Sequence, residues 1–255
     1  MLMRFLFLLL SPAVLVAALF VACSGGDDSS AVTEPGPLAC DGLGTQSYHY
    51  TTNVVEDVKA YDGPIPAPTD LILPLVVKWD ISGANEGGDN GGSIDAKQHN
   101  EVGGTGGDSE TILLDNNDGY VDIGHGWQKS DNPNRPPTVP FWPIFTCRAL
   151  RPDIDTTKLG PGQPDTINGV PSKKYSFENM ASEFIARHPD FTGGSQAGKN
   201  IHAISGSVWV ADKGKLITKL ELTADGQLPT GQKISVTMQF ELSDLGADIK
   251  VRAPI

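Results

Sequence analysis

An alternation of apolar and polar side chains with a period of two residues recurs along this chain and constrains its fold more than any other feature. In 233–242, every even-numbered residue is apolar, and polar or charged residues alternate with them. Because successive side chains of a β-strand point to opposite faces, the pattern predicts a strand with one buried and one solvated face. Similar patterns occur at 48–54, 71–81, 207–211 and 216–223, with shorter candidates at 111–114, 120–123 and 173–177.

A helical period is clear in one segment. Its apolar positions fall on a single helical face, and Pro189 ends the continuation because proline lacks a backbone donor. These positions are Phe177, Met180, Ala181, Phe184, Ile185 and His188. A second, shorter helix is expected within 145–150. The chain is therefore predicted to be an α+β protein, mainly antiparallel β, with one or two helices.

Two polar stretches are predicted to be connections. Segment 84–108 contains four Gly-Gly pairs, and glycine weakens a strand because it adds no side chain to the packing. We expect a Gly-rich loop over 84–108 around a weak strand at 93–102. The stretch that starts at Asp115 resembles a calcium loop, but Gly119 stands where an oxygen ligand belongs. A hairpin turn at Asp118-Gly119 explains it better.

The first 22 residues are predicted to be a lipoprotein signal peptide. Arg4 precedes an apolar run that reaches Ala22, and a small residue stands directly before Cys23. Lipidation of the Cys23 thiol would anchor the exported chain on the outer side of the cytoplasmic membrane or of another envelope membrane. The alternative is a retained membrane-spanning helix. Residues 23–37 are too polar to fold and are predicted to be a flexible tether, which leaves 38–255 as a single β domain.

Composition and motifs argue against several classes of function. The chain carries 19 Lys and Arg against 31 Asp and Glu, a formal net charge of −12. Nucleic acid and anionic headgroups are therefore unexpected partners, because both require clustered basic residues. The five histidines lack the spacing of a zinc site, and no Gly-x-Ser-x-Gly motif or phosphate-binding loop occurs. We expect no metal, no cofactor, no catalytic residue and no enzymatic activity.

Two cysteines remain once Cys23 carries lipid. Cys40 and Cys147 form an even pair in an oxidising compartment, which predicts a disulfide. By the chain-entropy estimate it would stabilise the fold by about 4–5 kcal/mol, because it closes a loop of roughly 100 residues. The alternative is a pair of buried free thiols.

The predicted strands offer more apolar surface than one amphipathic helix can cover. The space beneath that helix must be filled by the sheet's own side chains or by an apolar ligand, since a large dry void forfeits dispersion contacts. Strand parity and helical period select six candidate ligand-binding residues. They are Tyr50, Trp79, Phe184, Leu220, Met238 and Phe240. The alternative is that they form an ordinary core.

Three segments of the C-terminal half, 166–177, 206–220 and 240–254, resemble bacterial envelope lipoproteins of the LppX/LprG and LolA/LolB type. The order also matches: a Gly-Val turn feeds a strand, a helix intervenes, a strand with Trp-Val follows, and the final strand runs into a Ser-Asp turn. The resemblance implies a strongly curved sheet, an incomplete barrel, with helices across its concave face and an apolar cavity between. It also implies transport of lipids or lipoproteins across the envelope.

The function expected from these observations is that of a membrane-anchored envelope lipoprotein. It would bind an acyl chain or another apolar ligand between sheet and helix. The alternative is a structural or protein-interaction module with a self-filled core. No particular protein partner is predicted.

Overall fold

One sheet of eleven antiparallel strands is the main feature of the computed structural model, which describes residues 40, 42–63, 73–88, 92–116, 118–130, 143, 147, 158–178, 201–213, 216–228 and 230–254. The strands are β1 (Tyr48–Val58), β2 (Leu75–Asn85), β3 (Ile94–Val102), β4 (Thr105–Leu113), β5 (Gly119–Asp122), β6 (Gln128–Lys129), β7 (Gln163–Ile167), β8 (Val170–Phe177), β9 (Ile201–Ala211), β10 (Ile217–Gln227) and β11 (Lys233–Ser243). The prediction of a mainly antiparallel β fold is confirmed.

Two meanders build the sheet. Strands β1 to β6 follow one another as neighbours, and so do β7 to β11. The meanders join where β1 pairs with β11, in a register that sets Val54 opposite Met238. Strands β6 and β7 form the two edges of the order, so the sheet is open. Strands β1 and β11, the first and last that the structure describes, therefore lie side by side at the centre of the sheet.

Several strands begin or end at other residues than predicted, and two of these differences concern exposed apolar side chains. Strand β2 begins at Leu75 rather than at residue 71, and Leu73 is 78% exposed. Pro74 precedes β2 and cannot donate a ladder hydrogen bond, which explains why the strand starts after it. Ile123 lies beyond the end of β5 and is exposed. Residues 71 and 72 lie outside the described residues.

The weak strand predicted at 93–102 is present as β3, but the Gly-rich loop predicted around it is wrong for 105–108, which belong to β4. Residues 94–102 form β3, and β4 begins at Thr105; β3 pairs along its length with β2 and β4. Gly103 and Gly104 have φ of 57° and 83° and form the tight turn between these strands. The glycines therefore serve a hairpin, because glycine adopts positive φ values without strain.

Two other hairpins fit turns in the sequence. The connection from β4 to β5 is closed by the backbone N–H of Leu114, which donates to the carbonyl of Asp118 at 2.9 Å. The turn from β7 to β8 consists of Asn168 and Gly169, both with positive φ. The Asn168 amide also donates to the carbonyl of Leu242 in β11 at 2.7 Å. In a flat sheet β8 and β11 would lie about 14 Å apart, so this corner of the sheet is strongly twisted or bent.

The helix predicted over 177–188 does not begin at Phe177, because that residue ends β8. Cys147, which falls within the helix predicted at 145–150, is helical. The segments 179–188 and 148–150 lie outside the described residues, as do the predicted signal peptide, Cys23 and the tether. A short helix that the sequence did not predict, α1 (Gly42–Thr45), precedes β1. Within the described part of the chain, no helix has the length and hydropathy needed to cross a membrane.

A disulfide joins Cys40 and Cys147, as predicted. Their Cα atoms lie 5.5 Å apart across a sequence separation of 107 residues. Both side chains are fully buried and belong to the same core cluster as Leu43 of α1 and Leu216, which precedes β10. The bond therefore links the segment before β1 to the middle of the chain.

Candidate functional site

One face of the sheet collects five of the six candidate ligand-binding residues. In the ladders, Val54 pairs with Trp79 on one side and with Met238 on the other. Phe240 pairs with Leu220 of β10. We call the side of the sheet that carries these residues and Tyr50 the apolar face, and the opposite side the polar face. Phe184, the sixth candidate, lies outside the described residues.

These five side chains are buried. Trp79 is the most exposed of them at 8%, and the others are at or below 2%. The burial pattern of β11 alternates strictly, with every even-numbered residue buried. The alternation of apolar and polar residues in the sequence had assigned each of these residues to the buried face of its strand. The structure places them together, but their burial alone does not distinguish a binding surface from a self-filled core.

A partly exposed apolar side chain lies beside this group. Leu222 of β10 pairs with Met238 on one side and with Gly206 of β9 on the other, and it is only partly buried. The ring of Phe177 covers Gly206, since a β-carbon at that glycine would lie 2.9 Å from Cζ of Phe177. The Phe177 ring therefore occupies the space beside Leu222 that a side chain at position 206 would fill.

A carboxyl group lies within the apolar face. Glu56 of β1 pairs with Val77 of β2 and with Val236 of β11, and it is 1% exposed. Neither of its carboxyl oxygens has a hydrogen-bond partner among the described residues. Burial raises the pKa of Glu56 from the usual 4.5 to about 7 because a buried carboxylate loses its hydration. Below that pH the group is neutral and can donate a hydrogen bond.

Sequence reasoning missed Glu56, although the sequence contained a signal. The alternation through Tyr50, Thr52 and Val54 continues to Glu56 if the strand is extended by two residues. A charged residue at a core position of an alternating strand is unusual unless it is paired or functional. The predicted strand stopped at residue 54, so the position was not weighed.

A second polar group on this face is the hydroxyl of Tyr50. It is buried and has no hydrogen-bond partner among the described residues. Burial raises the pKa of Tyr50, and the neighbouring Tyr48 and Asp95 raise it further. Tyr50 and Glu56 are six residues apart on one strand, which is about 20 Å. The two polar groups therefore lie near opposite ends of the β1 strip of the apolar face.

The apolar face changes character at β3. Gln98 and Asn100 pair with Ile81 and Trp79 respectively, so two amides stand next to apolar side chains of β2. The Gln98 amide donates to the Asn100 side-chain oxygen at 2.7 Å, and both residues are partly buried. The apolar surface of β9, β10, β11, β1 and β2 is thus bounded by amides on this side.

The polar face offers a groove but no convergent chemistry. The groove has a volume of about 720 Å³, and its side chains pair with one another. His99 Nδ1 lies 2.6 Å from Asp108 Oδ1, and the Asn53 amide donates to Asp80 at 2.5 Å. The hydrogen bond that the His99 imidazole donates to the Asp108 carboxylate raises the pKa of His99. These groups satisfy each other, as expected for the solvated side of a sheet.

Trp209 belongs to the polar face. Its ring is buried between the ammonium groups of Lys174 and Lys219, which lie 4.8 Å and 5.0 Å from the ring centroid. Its indole N–H donates to Asp165 at 2.8 Å, and that bond lowers the pKa of the Asp165 carboxyl. Cation–π contacts and a charge-assisted hydrogen bond therefore hold this tryptophan in place, away from the apolar face.

Among the described residues, no group of three or more His, Cys, Asp or Glu side chains could hold a metal ion. The apolar face combines extensive apolar surface with two buried polar groups, Tyr50 and Glu56, that have no hydrogen-bond partner in the part of the chain that the structure describes. No known protein-family model matches this chain, and no curated protein matches it either.

Proposed function

We propose that this chain is an exported envelope lipoprotein that holds an acyl chain or another apolar ligand against the apolar face of its sheet. The observation that carries the proposal is the register that places Tyr50, Trp79, Leu220 and Met238 on one face of four adjacent strands. A ligand site is expected to be mostly apolar with a small number of placed polar groups. The apolar face has this composition, with Glu56 as the buried polar group.

The finer architecture is part of the proposal. We infer a strongly curved sheet, an incomplete barrel of the LppX/LprG and LolA/LolB type, with the helices predicted at 177–188 and 145–150 across its concave face. Three observations support it. The sheet is open, one face is apolar, and the corner at Asn168 departs from a flat sheet by reaching β11. A ligand would then lie between the sheet and the helices.

Anchoring follows from the N-terminal sequence. Cys23, placed after an apolar run and before a polar tether, would carry acyl chains that hold the domain at the membrane surface. The disulfide between Cys40 and Cys147 suits an oxidising compartment outside the cytoplasm. We infer a location on the outer side of the cytoplasmic membrane or another envelope membrane, with lipid or lipoprotein transport as the role.

A non-enzymatic structural or interaction module is the second candidate. It is favoured by the burial of Tyr50, Leu220, Met238 and Phe240, all at or below 2% exposed, because a self-filled core would bury them in the same way. The two candidates differ in whether a lipid accompanies the protein.

The test is extraction of bound lipid. The full chain is isolated from membranes in a lipid-free amphipathic polymer, extracted with organic solvent, and the extract is examined by mass spectrometry. A lipoprotein with the same anchor and an unrelated domain gives the background. The proposal predicts about one lipid per chain above that background. Extracts that match the background would favour the self-filled module.

A further inference from the structure

Glu56 is out of place in its surroundings. Its neighbours across both ladders are valines, Val77 and Val236, and the next residues on the same face of β2 and β11 include Trp79 and Met238. The side chain is 1% exposed, and both carboxyl oxygens lack a hydrogen-bond partner among the described residues. A buried polar group normally has a partner, because leaving it unpaired loses the hydrogen bonds it made to water.

A ligand is the natural source of that partner if the apolar face binds one. Two kinds of ligand group could satisfy a buried carboxyl: a cation, which would pair with the ionised form, or a neutral carbonyl, which would accept a hydrogen bond from the protonated form. The cation is the more costly choice, because two charges would have to leave water and enter an apolar surface. The valines on both sides offer no further polar contacts to an ion pair.

We infer that Glu56 is the hydrogen-bonding anchor of the ligand site and selects an apolar chain that carries a neutral carbonyl, an acyl ester or acyl amide, over a plain hydrocarbon. This rests on the proposed function, since it names the polar part of the same ligand. The protonated carboxyl donates its O–H to the carbonyl oxygen of the ligand. Burial raises the pKa of Glu56 to about 7, so a large share of the chains carries the protonated carboxyl near neutral pH, and the share grows at lower pH.

The consequence is a preference among ligands that share one chain length. A carbonyl that reaches Glu56 replaces the missing hydrogen-bond partner, whereas a hydrocarbon leaves the carboxyl unpaired. One such hydrogen bond corresponds to a preference of about tenfold. Glutamine at this position keeps a donor and an acceptor and should keep the preference. Leucine has a similar size without hydrogen-bonding groups and should remove it.

The test uses membranes from cells that export the full chain. They are incubated with three photoactivatable probes of equal length, an acyl methyl ester, an alkane and a primary alkyl amine, and crosslinking to the chain is measured against probe concentration. The chains compared are the wild type, Glu56→Gln and Glu56→Leu. Mass spectrometry of the crosslinked peptides verifies that the probes attach on the apolar face.

The expected result is about tenfold stronger labelling by the ester than by the alkane in the wild type and in Glu56→Gln, and equal labelling in Glu56→Leu. Equal labelling of the wild type by ester and alkane would overturn the inference, and this comparison does not depend on how any variant folds. The inference would also be overturned if the wild type were labelled most strongly by the amine and Glu56→Gln lost that preference. That result would identify a cation as the partner of Glu56. If no probe attaches to the apolar face, the proposed function itself fails.

Discussion

Glu56 of β1 lies directly opposite Val236 of β11, in the ladder that joins the two halves of the sheet. The register thus places a carboxyl in an otherwise apolar row at the centre of the molecule. Because both residues are buried, the chain is less stable when Glu56 ionises. This cost has to be offset elsewhere in the fold or relieved by a ligand.

The first prediction concerns the pH dependence of stability. Burial raises the pKa of Glu56 from 4.5 to about 7, so between these values the folded chain keeps a proton that the unfolded chain releases. The free energy of unfolding should therefore fall as pH rises through this window, by up to about 3 kcal/mol for this group. Glu56→Gln should be more stable than the wild type at pH 8, with the gain vanishing near pH 4.5.

Urea denaturation of both chains at pH 4.5 and pH 8 measures this difference. Glu178→Gln is the matched control, since Glu178 is exposed to solvent, and it should show no pH-dependent gain. A gain in Glu56→Gln that is the same at both pH values would show that Glu56 is not buried as described.

The second prediction concerns the disulfide. The bond between Cys40 and Cys147 spans 107 residues, so its loss enlarges the conformational freedom of the unfolded chain. Reduction, or Cys147→Ala, should lower the free energy of unfolding by about 2–5 kcal/mol. Denaturation with and without reductant checks this, with alkylation and mass spectrometry to count free thiols. An unchanged denaturation midpoint after complete reduction would contradict the assigned role.

The third prediction concerns the turn between β7 and β8. Asn168 has a φ of 47°, and its amide donates to Glu241 at 2.8 Å and to the Leu242 carbonyl at 2.7 Å. Asn168→Ala should cost about 1–2 kcal/mol, because it removes these bonds and strains the backbone. Asn168→Gly loses the bonds but relieves the strain, so it should cost less. Thermal unfolding of both variants separates the contributions; an Asn168→Ala chain as stable as the wild type would argue against the described turn.

The fourth prediction concerns the anchor. Cys23→Ala removes the thiol that would be alkylated, so the chain should accumulate as an unprocessed precursor and should not incorporate labelled fatty acid. Gel mobility and labelling in growing cells measure both effects. Normal labelling of this variant would exclude Cys23 as the lipidated residue.

Much of the sheet could be predicted because its two faces differ in environment. The alternation at Ile234, Val236 and Met238 is strict, and all three are buried in β11. The first part of β4 was missed because Gly106 and Gly107 supply no side chains to an alternation, while backbone pairing with β3 still holds them in a strand. A search for alternating apolar residues cannot detect a strand that is held mainly by backbone hydrogen bonds to its neighbour.

The candidate site was predicted only in part, for a different reason. Parity correctly placed Trp79 and Phe240 on one face, because apolar residues are the ones that a pattern search counts. Glu56 was overlooked because such a search treats a charged residue as the end of a strand. Its place on the apolar face follows from the continued alternation of β1, but its nearly complete burial follows from tertiary packing.

The most direct test of the account compares two adjacent residues on opposite faces of β10. Leu222 is partly buried on the apolar face, opposite Met238 and Gly206, whereas Thr223 lies on the polar face, opposite Thr237. Lys219, which also lies on the polar face of β10, would not serve as this control, because its ammonium group packs on the ring of Trp209. The two variants are therefore Leu222→Asp and Thr223→Asp.

The measurement is the number of lipid molecules extracted per full-length chain, with circular dichroism to show that both variants are folded. An unpaired charge on the apolar face should exclude an apolar ligand. The account predicts that Leu222→Asp loses most of the bound lipid, while Thr223→Asp retains as much as the wild type. Equal lipid content in two folded variants would contradict it and leave the self-filled module as the better explanation.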